Sequence, residues 1–336
     1  MTRSLAVGVQ LPEVERHVPW REMRDIARAV EDGGFDSLWV GDHLLYRSAE
    51  EVNGPWEAWA TLAALAEAPE RVTIGPLVAA TAFHNPAVLA KTAATIDEIS
   101  DGRLELGLGA GCNRDEFDAF GIPFDHRASR FAEAFDIIRR LLAGEVVSSD
   151  GRFHAVTDCE LVPRPRPGGP SLMIGSQGPI VLRTTLPYVD AWNGWYAWFG
   201  NTPEGAASLL TSVDEACVEV GRDPGTLRKT VSVLVEAPGG VHPPQESAVL
   251  SNRQLTLVRL TGIFDFCNLR GRRTNEPAVF GDLLEPRFVF CIQNNREHFL
   301  LPQTVEVTED VTISAQQLRL DNLRINVFVV VVVLHN

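Results

Sequence analysis

The chain has 336 residues, 45% of them hydrophobic and 22% charged, which is the balance of an ordinary globular protein large enough for one sizeable core. Its formal charge of -14 at pH 7 repels phosphate backbones and anionic lipid, so nucleic acid and membranes are excluded as general partners and a small-molecule substrate is expected. Five cysteines without close C-x-x-C spacing signal neither a disulfide framework nor a thiolate zinc site.

The chain opens on LAVGVQLP, which lacks the basic and long apolar regions of a leader, and no apolar run approaches the roughly 20 residues that span a bilayer. A cytoplasmic protein is the expectation. Short β-branched runs then alternate with longer amphipathic segments. Leu5 to Val9, Ser37 to Val40, Val72 to Val78, Leu104 to Leu108, Leu172 to Ile174, Val189 to Trp192 and Val231 to Val235 read as strands. Helix starts are marked where an N-cap residue precedes a proline, at Asn85-Pro86, Thr202-Pro203 and Asp223-Pro224. This βα alternation predicts a parallel sheet covered by helices, either a closed barrel or an open doubly wound sheet. Polar or glycine-rich residues follow nearly every predicted strand, which favours a barrel, where all strand ends share one face. The first turn, QLPEVER, carries no dinucleotide fingerprint of an open sheet.

After about Gly240 the character changes. Residues 1–240 read as the barrel and are alanine-rich with five asparagines; residues 241–336 hold eight asparagines and three alanines, and the βα rhythm stops. This divergent segment ends in NVFVVVVVLHN, a run of high β propensity without internal charge. It reads either as an appended β-rich element or as a non-native continuation such as a shifted frame or fusion, because the eighth strand and helix of a barrel are not recognisable in it.

Four stretches carry candidate chemistry. In MIGSQGP, Gly175, Ser176, Gln177 and Gly178 join a strand to a helix start whose free N–H groups can hold a phosphate; the plain alternative is a tight turn that needs glycine for positive φ. In LELGLGAGCN, alternating glycines bare one face of a strand end, against which a flat ring could lie, or else they relieve crowding in a barrel mouth. In WVGDHL, Asp42 and His43 place a carboxylate beside an imidazole suited to proton transfer, although neighbours at a strand end point to opposite faces. Trp56, Glu57 and Trp59, with Trp192, Trp195, Tyr196 and Trp198, form two aromatic concentrations; Trp192 suits a core, while Trp195 and Trp198 suit a substrate wall. No metal-ligand spacing and no serine nucleophile elbow is present in the sequence.

From about Leu5 to Leu234 the chain resembles the luciferase-like superfamily, especially its branch that uses the deazaflavin F420. The resemblance rests on GGFDSLWVGDH at 33–43, ERVTIGPLV at 70–78, HNPAVLAKTAATIDEISDGRLELGLGAG at 84–111, FGIPF at 120–124, IGSQGP at 174–179 and VDAWN at 189–193. It implies a (β/α)₈ barrel, here with an atypical or incomplete C-terminal closure. It also implies that a strand-three bulge, often with a cis peptide, backs the cofactor ring at Leu77, Val78, Ala79, Ala80 and Thr81. Gly109, Gly111 and Asn113 complete the cofactor cradle, the cofactor phosphate lies at Gly175, Ser176, Gln177 and Gly178, and His43 and Asp42 stand near the reactive ring as catalytic residues. The function so implied is an F420-dependent oxidoreductase that moves hydride to or from an organic substrate, often as a homodimer. The alternatives are an FMN-dependent monooxygenase and a non-catalytic flavin-binding barrel. Cys112 stands where relatives carry an aromatic or acidic residue, which puts substrate inference from that position in doubt.

Overall fold

The computed structural model describes residues 6–13, 17–48, 51–236, 305–307, 311–313 and 327–334. The stretch 237–304, which holds most of the divergent segment with Cys267 and Cys291, lies outside them.

Nine strands form one sheet: β1 (Val7–Gln10), β2 (Ser37–Val40), β3 (Thr73–Pro76), β4 (Ala79–Ala80), β5 (Glu105–Gly109), β6 (Ser171–Ile174), β7 (Ala191–Gly194), β8 (Arg228–Glu236) and β9 (Val327–Leu334). Their order is β3-β2-β1-β9-β8-β7-β6-β5-β4. The two ends of this order, β3 and β4, are one strand interrupted by the Leu77-Val78 peptide, which is cis. A parallel bridge between Ile74 and Leu104 joins β3 to the start of β5, so the sheet curls into a barrel. Every pairing within the sheet is parallel except those of β9.

The strand in the eighth position therefore exists and comes from the valine run near the end of the chain. It runs antiparallel to both neighbours, with Gly8 opposite Val331 on one side and the register Lys229↔Leu334 to Glu236↔Val327 on the other. The direction follows from where it starts, since Val327 pairs with Glu236 at the same end of the barrel where β8 stops. A parallel strand would have to begin at the opposite end.

Helices α1 (Trp20–Asp32), α2 (Ala58–Leu65), α3 (Pro86–Ile99), α4 (Arg114–Phe120), α5 (Arg127–Leu142), α6 (Pro179–Thr185) and α7 (Pro203–Glu219) lie between the strands. Asn85 and Thr202 cap α3 and α7 through their side chains, as the Asn-Pro and Thr-Pro pairs predict. Asp223 also caps, but only a single 3₁₀ turn, Pro224–Thr226, because β8 begins two residues later. Apolar spacing of three and four in α1 turns Met23, Ile26, Ala27 and Val30 inward. The predicted strand Val189 to Trp192 begins two residues later than expected: Asp190 ties itself to β6 ahead of the ladder, its N–H donating to Leu172 O (2.8 Å) and its carboxylate accepting from Leu172 N (2.8 Å). Two antiparallel hairpins, Tyr46–Arg47 with Val52–Asn53 and Val147–Asp150 with Ala155–Cys159, stand outside the barrel and have no counterpart among the expected strands.

Alternation along each strand builds two apolar layers. Outward-facing Leu38, Ile74, Leu106, Leu108, Ile174, Trp192, Val231 and Val332 pack under the helices, whereas Trp39, Leu77, Met173, Ala191 and Val331 fill the interior. The large Trp39 fits because the strands on either side present Gly8 and Gly75 to it. A Cβ on Gly8 would sit 2.6 Å from Trp39 Nε1, and one on Gly75 would sit 2.9 Å from its Cζ3.

Candidate active site

The strand ends converge on the face where β3 breaks. Val78, at the break, turns toward the barrel axis, and three strand-end glycines make its place: a Cβ on Gly107 would lie 2.8 Å from a Val78 methyl, on Gly109 2.7 Å, and on Gly175 2.9 Å. The bare face of the glycine series is thus filled by Val78, which is the crowding-relief reading of that motif. Gly175 and Gly178 both lie outside the positive-φ region, so a tight turn does not explain them. Gly175 is required by Val78, while a Cβ on Gly178 would meet nothing nearer than Ser176 Oγ at 3.5 Å. Leu77, Ala79, Ala80 and Thr81 are all buried, which leaves Val78 as the half-buried member of that stretch.

Asp42 and His43, adjacent at the end of β2, part company as strand alternation requires. Asp42 is buried and accepts a hydrogen bond from Ala80 N (2.9 Å), two residues past the cis peptide, with His84 Nε2 at 3.2 Å from the same oxygen. Trp59 Nε1 also lies 3.1 Å from His84 Nε2. One ring nitrogen cannot donate to the carboxylate and accept from the indole together, and the contact to the ionised partner is the stronger of the two. Asp42 therefore holds the bulge in place, whereas sequence reasoning gave it a catalytic role.

His43 faces a different partner. Its Nδ1 lies 3.1 and 3.2 Å from the two carboxylate oxygens of Glu116, a residue of α4 that is fully buried. Glu116 also accepts from Leu44 N at 2.9 Å. A carboxylate only accepts, so the contact fixes a proton on His43 Nδ1 and leaves Nε2 without a bond among the described residues. Burial disfavours the imidazolium, but the Glu116 hydrogen bond and the charges of Glu13, Glu116 and Asp42 outweigh it, so the His43 pKa is raised above the ordinary histidine value.

Glu116 escaped sequence reasoning although a signal was present. Asn113-x-x-Glu116 has capping-box spacing, which locally predicts a glutamate folded back onto its own helix start. Asn113 does cap α4, accepting from Asp115 N at 3.2 Å, and its Nδ2 donates to Leu45 O at 2.9 Å, so its amide is committed to the loop. Glu116 instead reaches across to β2. Two further residues join this cluster unannounced by sequence. The Glu13 carboxylate lies over Gly41, where a Cβ would overlap it, and accepts from Gln10 Nε2 at 3.0 Å. The Tyr46 ring lies 4.7 Å from that of His43, and burial, then the charge of Glu13 and a hydrogen bond to it, push the phenol well above its usual pKa.

Gly111 has φ +75 and backs onto Phe117, and Thr81 Oγ1 donates to Gly109 O at 3.2 Å. Leu77 to Thr81, Gly109, Gly111 and Gly175 therefore form one continuous patch. Ser176, Gln177 and Gly178 follow it at the start of α6, pinned where Trp192 Nε1 donates to Ser176 O at 2.7 Å. Trp195 and Val78, both partly buried, each pack against the interior cluster. Glu57 is the N-cap of α2, and Trp56 donates to Val18 O (2.8 Å) while half exposed. Among the described residues no group of three or more His, Cys, Asp or Glu is placed to hold a metal ion, and no helix is long and apolar enough to cross a membrane.

The family model for luciferase-like monooxygenases matches residues 4–237. An F420-dependent glucose-6-phosphate dehydrogenase of Microbacterium testaceum is 31% identical over 249 residues, 71% of this chain and 70% of that protein. One from Amycolatopsis mediterranei is 35% identical over 167 residues, so the matched stretch spans half of that relative's length and 48% of this chain. Among solved structures, an F420-dependent secondary alcohol dehydrogenase in complex with an F420-acetone adduct superposes with a TM-score of 0.58 at 24% identity, over 66% of each chain. At that identity the likeness establishes the fold.

Proposed function

We propose, from the premise that this chain belongs to the luciferase-like monooxygenase family, that it is an F420-dependent oxidoreductase. It would interconvert an alcohol and a carbonyl compound by hydride transfer. The observation that carries this reading is the His43–Glu116 pair, which leaves His43 Nε2 without a bond among the described residues, next in the chain to Asp42, which holds the bulge at Ala80 N. The names of the relatives support the deazaflavin over FMN.

The residues present fit such a group. Val78 offers a half-buried apolar surface at the strand break to back a ring, and the backbone of Ser176 and Gln177 ahead of α6 would meet an anionic tail, Gly178 N already donating to Ser176 Oγ at 3.0 Å. When bound, a deazaflavin supplies two-electron hydride chemistry at the carbon that replaces the reactive flavin nitrogen. The chain's own residues supply the rest. In alcohol oxidation the substrate carbon gives up hydride while His43 Nε2 takes the hydroxyl proton; in carbonyl reduction protonated His43 returns it. Glu116 keeps the proton of the neutral imidazole on Nδ1, stabilises the imidazolium and aims the ring, and Asp42 fixes the bulge through Ala80 N.

The test is His43→Ala. We expect kcat/KM to fall by about 10²–10⁴-fold, the usual worth of a positioned acid–base group, while F420 affinity measured by cofactor fluorescence stays near wild type. Full turnover in the variant would remove His43 from the mechanism, and preferential binding of FMN with oxygen uptake would replace the dehydrogenase with a monooxygenase.

A further inference from the structure

His84 stands outside the proposed proton-transfer pair, yet the segments that follow β2 and β4 and the starts of α2 and α3 come together at it. It ends the 3₁₀ turn Thr81–Phe83 after β4, its N–H donating to Thr81 O at 3.2 Å. It directly precedes Asn85, whose side chain caps α3 by accepting from Ala87 N at 3.0 Å and Val88 N at 3.2 Å. The His84 ring meets the Trp59 ring of α2 edge-on at 5.8 Å and the Phe83 ring at 6.3 Å. Its Nε2 lies 3.2 Å from Asp42 Oδ2, the same oxygen that accepts from Ala80 N in β4 at 2.9 Å.

The Asp42 carboxylate is 3% exposed, and a carboxylate so deeply buried is costly unless several donors face it. Ala80 N supplies one, and His84 Nε2 is the other among the described residues. Trp59 Nε1, buried and 3.1 Å from the same ring nitrogen, competes for it, because an indole N–H only donates. If His84 accepted from Trp59, its bare Nε2 would turn a lone pair on Asp42 Oδ2, and the carboxylate would keep Ala80 N alone. With the proton on Nε2 the indole loses its acceptor, but the carboxylate gains a donor, and a bond to a charged acceptor is roughly twice as strong as a neutral one.

Resting on the reading that a cofactor ring is backed at Val78, we infer that His84 is a positioning residue. It donates from Nε2 to Asp42, and through Asp42 it sets the position of β4 and so of the surface offered to the cofactor. Its seat between a 3₁₀ turn and a capped helix gives the donor a fixed origin, so the bulge is tied through Asp42 to α2 and α3. Proton transfer belongs to the separate His43–Glu116 pair.

The experiment uses the full chain and separates the donor from the ring. His84→Gln keeps an amide N–H at about the reach of Nε2 and loses the ring, whereas His84→Phe keeps a ring and loses the donor. Heteronuclear NMR of the histidine side chains shows which ring nitrogen of wild-type His84 carries a proton, its signal being the one absent from His84→Gln. Hydrogen exchange at the Ala80 amide reads the bulge in cofactor-free protein, and cofactor fluorescence reads F420 affinity. We expect a proton on His84 Nε2. We expect His84→Phe to speed exchange at Ala80 and to raise the F420 Kd, each by at least about 10-fold, the lower end of what a hydrogen bond to a charged group is worth. His84→Gln should stay near wild type in both. A bare Nε2 on His84 overturns the inference, and does so even where His84→Phe fails to fold. Loss of both properties in His84→Gln with retention in His84→Phe also overturns it, because ring packing would then be what counts, as does Ala80 exchange that neither variant changes. Wild-type protein that binds no F420, with Ala80 exchange responding as expected, sinks the cofactor reading and leaves the hold of His84 on Asp42 standing.

Discussion

The barrel has two unusual seams, and they are held by different means. At the break between β3 and β4 the chain is fixed by individual polar and steric contacts: Asp42 on Ala80 N, Thr81 on Gly109 O, and Val78 lodged among Gly107, Gly109 and Gly175. At β9 the closure is a run of valines that meets β8 over the full register from Lys229 to Glu236 and puts Val331 and Val332 on opposite apolar layers. The first seam is specified residue by residue and sits where the chemistry is proposed. The second needs only alternation, β propensity and a direction of entry, so many sequences could serve there. Substitutions should therefore act on function at one seam and on folding at the other.

The largest expected effect breaks the second seam. Val331 is fully buried in the barrel interior with Trp39 and Met173. Val331→Asp places a carboxylate there without a partner, and we expect a loss of at least about 3 kcal/mol in chemical denaturation, enough to abolish cooperative unfolding in a marginal protein. An unchanged midpoint would mean that β9 does not close the barrel in solution. Val331→Ala, a milder deletion costing about 1–3 kcal/mol, keeps the comparison readable if the aspartate variant does not fold.

A smaller effect is expected at the first seam. Gly175→Ala drives a Cβ to within 2.9 Å of Val78 Cγ1 and 3.0 Å of Cγ2. The resulting overpacking should cost about 1–3 kcal/mol and weaken F420 binding by displacing the bulge. Val78→Ala removes the atoms in conflict, so the double variant should recover much of the stability lost by Gly175→Ala, a coupling read in a double-mutant cycle. Additive losses would show that Gly175 is needed for a reason other than room for Val78.

How much of this could be read in the sequence follows the same division. The βα alternation, the Asn85 and Thr202 caps and the clustering of polar residues after strands are local signals, and each led to the right element. The direction of β9 was not legible, because a valine run says strand but not which neighbours or which way. Glu116 was missed because its capping-box position offered a sufficient local explanation, whereas its true partner lies 73 residues away. Glu13 and Tyr46 lie in loop and hairpin segments whose placement depends on tertiary contacts. Asp42 and His43 were found together as a motif, yet only the structure shows that one serves the backbone and the other faces Glu116.

The smallest expected effect sharpens the account of the first seam. Glu116 uses both oxygens as acceptors, one toward His43 Nδ1 and one toward Leu44 N. Glu116→Gln keeps the shape but replaces one acceptor with a donor, so one contact is lost, at a cost of about 1 kcal/mol. The sharper readout is pH. With the Glu116 charge gone, burial still disfavours the imidazolium, and only Glu13 and Asp42 remain to favour it, so the His43 pKa falls below that of the wild type. Alcohol oxidation needs the neutral imidazole, so its acid limb should move to lower pH in the variant, and carbonyl reduction should begin to fall at lower pH. Stability carries the same sign. A raised histidine pKa stabilises the folded protein fully below the unfolded value of about 6.5, and that contribution disappears as pH rises through the folded value. The stability gap between wild type and Glu116→Gln should therefore be wider at acid pH than at alkaline pH. A gap that does not change with pH, together with an unmoved rate profile, would mean that Glu116 holds the Leu44 loop and does not tune His43.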